Sequence, residues 1–100
     1  MSGVPRVDRE RLESLCLRWG IRELSLFGSA IRSDFGPTSD VDVLVSFSTG
    51  SSWSLLDLVR LNDELEALFG RRVDLVEKEA VRNPFRRRTI LGDRRILYAA

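Results

Sequence analysis

The chain reads as a single α/β domain, a small mixed β-sheet with helices packed mainly on one face. Three observations predict it. Apolar residues recur at helical spacing in two stretches, Leu12, Leu15, Cys16 and Trp19 in the first and Leu55, Leu58, Leu61, Leu65 and Leu68 in the second. Short β-rich runs at residues 21–27, 41–47 and 72–77 alternate with the helical stretches instead of following one another. The 100 residues, 43% of them hydrophobic, suffice for one core, so residues 1–100 are expected to form one domain.

In chain order, Asp8 is an N-cap for a first helix over Arg9–Trp19, which Gly20 stops. Residues 21–27 make a first strand with Leu24 and Leu26 on one face, ending at Gly28. Residues 29–33 are long enough for one or two helical turns, and Phe35-Gly36-Pro37-Thr38-Ser39 reads as a loop. In the second strand, residues 41–47, Val41, Val43, Val45 and Phe47 face one way and Asp42, Leu44 and Ser46 the other, the pattern of a mostly buried strand. After a Ser/Gly-rich loop at 48–52, Ser54-x-x-Asp57 is a capping box opening the longest helix, which Gly70 ends. The third strand, residues 72–77, sets Asp74 and Val76 opposite Val73 and Leu75, so Asp74 is expected on the face that carries Asp40 and Asp42. Asn83-Pro84 supplies the N-cap and first position of a last helix over 84–91, and residues 95–98 form a closing strand.

Composition removes several chemistries. With no histidine in the chain, His-based general bases, His-containing zinc sites and Ser-His-Asp triads are excluded, and acid–base work falls to carboxylates. A net charge of +1 argues against direct nucleic-acid binding by the molecule as a whole. Arg82, Arg86, Arg87, Arg88, Arg94 and Arg95 crowd the C-terminal part, but a helical arginine run is more often a solvated face than a specific site. Trp19 and Trp53 read as packing residues. The lone Cys16 has no intrachain disulfide partner, and no apolar run reaches the ~20 residues that span a bilayer. The opening MSGVPRVDRERLES lacks the apolar core of a secretory signal, so the expected address is cytoplasmic, without a membrane role.

The chemistry concentrates in residues 27–45, FGSAIRSDFGPTSDVDVLV, where Gly28-Ser29 is followed after ten residues by Asp40-Val41-Asp42. Two carboxylates one residue apart on a strand project to the same face. Gly28 admits a phosphate close to the backbone, and Ser29 offers a hydroxyl and an N–H at the start of a short helix. Arg32 either contacts phosphates or covers the helix surface. Acids at strand ends also serve as plain turn caps, and one acid on a solvated sheet face is ordinary. Metal-assisted nucleotide chemistry is the reading that uses all of these residues at once.

These residues resemble the signature of the polymerase-beta-like nucleotidyltransferase superfamily. With LFGSAIRSDFGPTSDVDVLVSF, GRRVDLVEKEAVRNP and the closing ILYAA, the chain is similar to its minimal nucleotidyltransferase (MNT) family over residues 24–100. The resemblance implies a nucleotidyltransferase fold and an enzyme in which Asp40 and Asp42 bind two Mg²⁺ ions with ATP. It implies that Asp74 is the third acid, which helps bind one metal and prepares the acceptor hydroxyl, and that Gly28 and Ser29 are the phosphate-binding pair. Family members commonly occur beside a HEPN-domain partner, and some are antitoxins that transfer AMP to a tyrosine of that HEPN ribonuclease toxin. A non-catalytic antitoxin that neutralises HEPN by occlusion is the alternative. It gives no chemical reason for Gly28, Ser29, Asp40, Asp42 and Asp74 to be present together. Transfer to a small molecule is a third reading, although no substrate domain is encoded. A domain this small offers few acceptor-binding surfaces, so a partner or a second copy, as a homo-oligomer, is expected to complete the site.

Overall fold

The computed structural model describes residues 7–28, 40–48, 50 and 53–100. The expected helix at 29–33, the loop at 35–39, Ser29 and Arg32 lie outside the described residues, as do parts of the 48–52 loop.

Helix α1, Arg9–Trp19, begins where Asp8 accepts hydrogen bonds from the N–H groups of Glu10 and Arg11, at 3.0 and 3.2 Å. It ends at Gly20, whose φ of 66° lets its own N–H close back on the Leu17 carbonyl. The chain then enters β1, Ile21–Phe27, and after the 29–39 segment β2, Val41–Phe47, which pairs antiparallel with it. Helix α2, Leu55–Phe69, opens on the expected capping box. The Ser54 hydroxyl accepts from the Asp57 N–H, while the Ser54 N–H and then its hydroxyl donate to the Asp57 carboxyl and hold it below the usual carboxylate range. Because α2 crosses over the sheet, β3, Val73–Glu77, can run parallel to β2, as a two-residue hairpin could not. A short 3-10 turn at Lys78–Ala80 leads to α3, Pro84–Gly92, capped by the Asn83 side chain, and β4, Arg95–Ala99, returns antiparallel to β1. The strand order is β3-β2-β1-β4.

Helices α1 and α2 cover one face of this mixed sheet. Leu12, Leu15, Cys16 and Trp19 from α1 and Leu61, Leu65 and Leu68 from α2 bury against Leu24, Leu26, Val41, Val43 and Val45. A fully buried leucine such as Leu61 or Leu65 contributes about 1.5–3 kcal/mol. Helix α3 covers part of the other face, where Ile90 and Val81 meet Phe27 and Leu44. The tryptophans pack as expected: their ring centroids lie 4.8 Å apart, and the Trp53 indole N–H donates to the Trp19 carbonyl at 3.1 Å.

Two expectations need correction. Leu55 does not join the apolar stripe but is 79% exposed, because the capping box starts α2 before the helix lies over the sheet. Leu58 is half-buried, and full burial begins at Leu61. The third strand starts at Val73 rather than Arg72; the Arg72 carbonyl still accepts from the Val41 N–H at 2.8 Å, so the ladder begins one group earlier than the strand.

Candidate active site

The strand registers decide which side chains share the face turned away from α1 and α2. Phe27 lies opposite Asp42 across the antiparallel pair, and Asp42 lies opposite Asp74 across the parallel one, so Phe27, Asp42 and Asp74 form a row at one end of the sheet. Adjacent strands ~4.8 Å apart make the two acidic positions direct neighbours. The next row is Ser25, Leu44 and Val76, and the third begins with Glu23 and Ser46. Asp42 is half-buried beside Phe27, whereas Asp74 is exposed, as is Asp40 immediately before β2.

Gly28 closes the acidic end. Its φ is 61°, and a Cβ built on it would stand 2.5 Å from Oδ2 and 3.3 Å from Cγ of Asp42. The glycine backbone therefore abuts the carboxylate, and only a residue without a side chain permits both the backbone angle and the approach. Sequence reasoning assigned Gly28 to a phosphate. Its closeness to Asp42 is a second requirement on the same residue, visible only once the strands pair.

Beyond the apolar middle row, the opposite end is locked by ion pairs. Glu23 binds the Arg94 guanidinium at 2.6 Å and lies 3.7 Å from the Lys78 ammonium. The Ser46 hydroxyl accepts from Arg22 at 3.0 Å and donates to Glu79 at 2.9 Å. Glu23 and Arg94 are 71 residues apart, so no local spacing announced this pair. Above the middle row, Arg87 turns inward and donates to the carbonyls of Lys78 and Val81, at 2.9 and 3.3 Å. Only Arg86 and Arg88 of the arginine run remain on a solvated face. Cys16 lies under the other face, where burial and then the nearby Glu13 push its thiol up to about 12, which excludes it as a nucleophile at neutral pH.

The acidic end carries donors of the type that suits a hard divalent cation. Carboxylate oxygens are the donors such ions prefer, and Asp42 and Asp74 offer them from adjacent strands. Among the described residues no three acids converge into a complete metal cage. A cation here would therefore share its shell with water or substrate phosphate, the usual arrangement for Mg²⁺. The register brings Asp42, Asp74 and Gly28 together, and it leaves Asp40 outside the paired strand.

A model of the nucleotidyltransferase domain matches residues 9–97. A Methanocaldococcus jannaschii protein provisionally named a protein adenylyltransferase is 38% identical over 85 residues, which cover 85% of this chain and 88% of that protein. The protein adenylyltransferase MntA of Thermococcus cleftensis is 46% identical over 66 residues, 66% of this chain and 65% of that one. The same fold occurs, at 16% identity and a TM-score of 0.64, in a solved complex of a tri-AMPylated Shewanella oneidensis HEPN toxin with its MNT antitoxin, over 92% of this chain and 70% of that one.

Proposed function

Because the chain belongs to the nucleotidyltransferase domain family, we propose that it is an antitoxin that transfers AMP from ATP to a tyrosine of a HEPN-domain toxin in a Mg²⁺-dependent reaction. The observation that carries this reading is the registered pair Asp42–Asp74 with the Gly28 backbone against Asp42. The acceptor is supported by relatives named as protein adenylyltransferases and by the AMPylated HEPN toxin held by a protein of the same fold.

Asp42 and Asp74, neighbours across the strands, would hold the metal together with substrate phosphate, Asp40 is the further acid assigned from the sequence, and Gly28 and Ser29 would receive the triphosphate. Mg²⁺ held there would supply charge neutralisation for the phosphates and for the attacking and leaving oxygens. The remaining work belongs to the chain. Gly28, with no side chain, would admit phosphate oxygens to its backbone, Phe27 lies opposite Asp42, and exposed Asp74 would accept the tyrosine proton. The tyrosine oxygen then bonds to the α-phosphorus as the bond to pyrophosphate breaks.

Incubation with a neighbouring HEPN protein, Mg²⁺ and α-labelled ATP tests the reading. Label should appear on a partner tyrosine. Asp42→Asn keeps the carboxylate's shape and should lower transfer by at least about 100-fold, the order expected when a group that stabilises the transition state is lost, with an unchanged melting temperature. Full turnover in that variant refutes the metal assignment, and tight HEPN binding without label would establish occlusion instead.

A further inference from the structure

Among the described residues no strand pairs with the outer edge of β3, which borders both the acidic row and an exposed apolar surface of α2. In β3 the backbone groups of Arg72, Asp74 and Val76 turn toward β2, as the bond from Val41 to the Arg72 carbonyl shows, so those of Val73, Leu75 and Glu77 turn outward. The Val73 N–H is taken by Glu66 at 3.1 Å, and beyond it no strand among the described residues pairs with Leu75 or Glu77. Along this edge runs a groove of about 330 Å³ between Leu55, Leu58 and Val59 of α2 and Leu75 and Glu77 of β3, reaching Asp74. Leu55 is 79% exposed and Val59 49%, an uncovered apolar wall that a lone domain has no reason to keep.

We propose that the acceptor protein docks here by strand addition, laying an extended segment along β3 with its reactive side chain opposite Asp74. The proposal rests on the nucleotidyl-transfer reading and specifies how the acceptor reaches the site. Side chains of an added strand alternate between faces. The residue opposite Asp74 would therefore join the Phe27–Asp42–Asp74 row, while its two neighbours would point into the groove beside Leu55 and Val59. The added residue lies two strand spacings, roughly 10 Å, from Asp42. A tyrosine there would stand roughly perpendicular to the sheet one strand spacing from Asp74, on the face that carries the acidic row. The segment this edge fits is a tyrosine between two apolar residues with basic flanks, because Asp74 and Glu77 make the rim acidic. A second copy pairing antiparallel about Asp74 would set the two Asp74 carboxylates against each other.

The probe is a synthetic lysine-valine-tyrosine-valine-lysine peptide with blocked ends, titrated without nucleotide into the isotope-labelled full chain. Amide resonances of Leu75 and Glu77 should shift most. Leu55→Lys and Val59→Lys, each at an exposed position, should each weaken binding at least fivefold, while Phe85→Lys on the opposite face leaves it unchanged. No shift along β3 at millimolar peptide, shifts confined to α3, or concentration-dependent dimerisation in place of peptide binding would overturn the proposal. With Mg²⁺ and α-labelled ATP added, a peptide that binds but is never labelled counts against transfer alone. Labelling that ignores both lysine variants counts against docking alone.

Discussion

Replacing Gly28 with alanine separates two physical demands on one residue. A Cβ at φ 61° carries the left-handed backbone penalty of about 1–2 kcal/mol. It also stands 2.5 Å from the Asp42 Oδ2 atom, so the carboxylate must leave its position, and an off-rotamer side chain costs about 1 kcal/mol. The single variant should therefore lose about 2–3 kcal/mol, which for a domain of this size lowers the melting temperature by roughly 10–20 °C. In an Asp42→Ala background the second cost disappears and the first remains, so the coupling between the two substitutions should be about 1 kcal/mol. Thermal and urea denaturation of the four proteins in the cycle measure it. On the proposed assignment, Gly28→Ala should also abolish label transfer from α-labelled ATP, because it displaces the carboxylate that would hold the metal and fills the approach a phosphate would use. Additive losses, with no coupling, would show that Gly28 does not press on Asp42. Full transfer by the single variant would refute the site geometry.

Two further outcomes follow from the core. Ser25 is fully buried, and its hydroxyl has no hydrogen-bond partner among the described residues, so Ser25→Ala should remove an uncompensated desolvation cost and raise stability by about 1 kcal/mol; a lower melting temperature would mean that the hydroxyl is satisfied after all. Cys16 should resist alkylation at pH 8 until the protein is unfolded. Its folded-state value is raised from 9.0 to about 12, so its contribution to stability is whole below about pH 9 and declines as pH rises toward 12, and Cys16→Ala should flatten that part of the stability profile.

Much of the fold was legible because local rules and the hydrophobic pattern agree. Asp8, Gly20, Ser54, Asp57, Gly70 and Asn83 each mark a helix end that the structure uses. The alternation in residues 41–47 separated Asp42 and Leu44 from the valines, and both faces of β2 are indeed buried along most of its length. Leu55 was misread because periodicity records which side of a helix a residue occupies and carries no information on how far the neighbouring sheet extends. Arg87 was grouped with Arg86 and Arg88 because a charge run looks uniform in sequence, whereas Arg87 donates to the carbonyls of Lys78 and Val81 where the chain turns into α3.

The sequence by itself determined the elements, their order and the acidic face of β2, since capping, periodicity and alternation act within a few residues of chain. It also named Asp40, Asp42, Gly28 and Ser29 as candidates from residue type and spacing, and Asp74 as the third acid from the family resemblance. Only the tertiary structure decided that β3 runs parallel to β2 in the register that sets Asp74 beside Asp42, and that Gly28 abuts the same carboxylate. It alone decided that Glu23 meets Arg94 at the far end and that the β3 edge stays open beside Leu55 and Val59. These are contacts between distant parts of the chain, and they follow from how the helices and strands bury their apolar faces together.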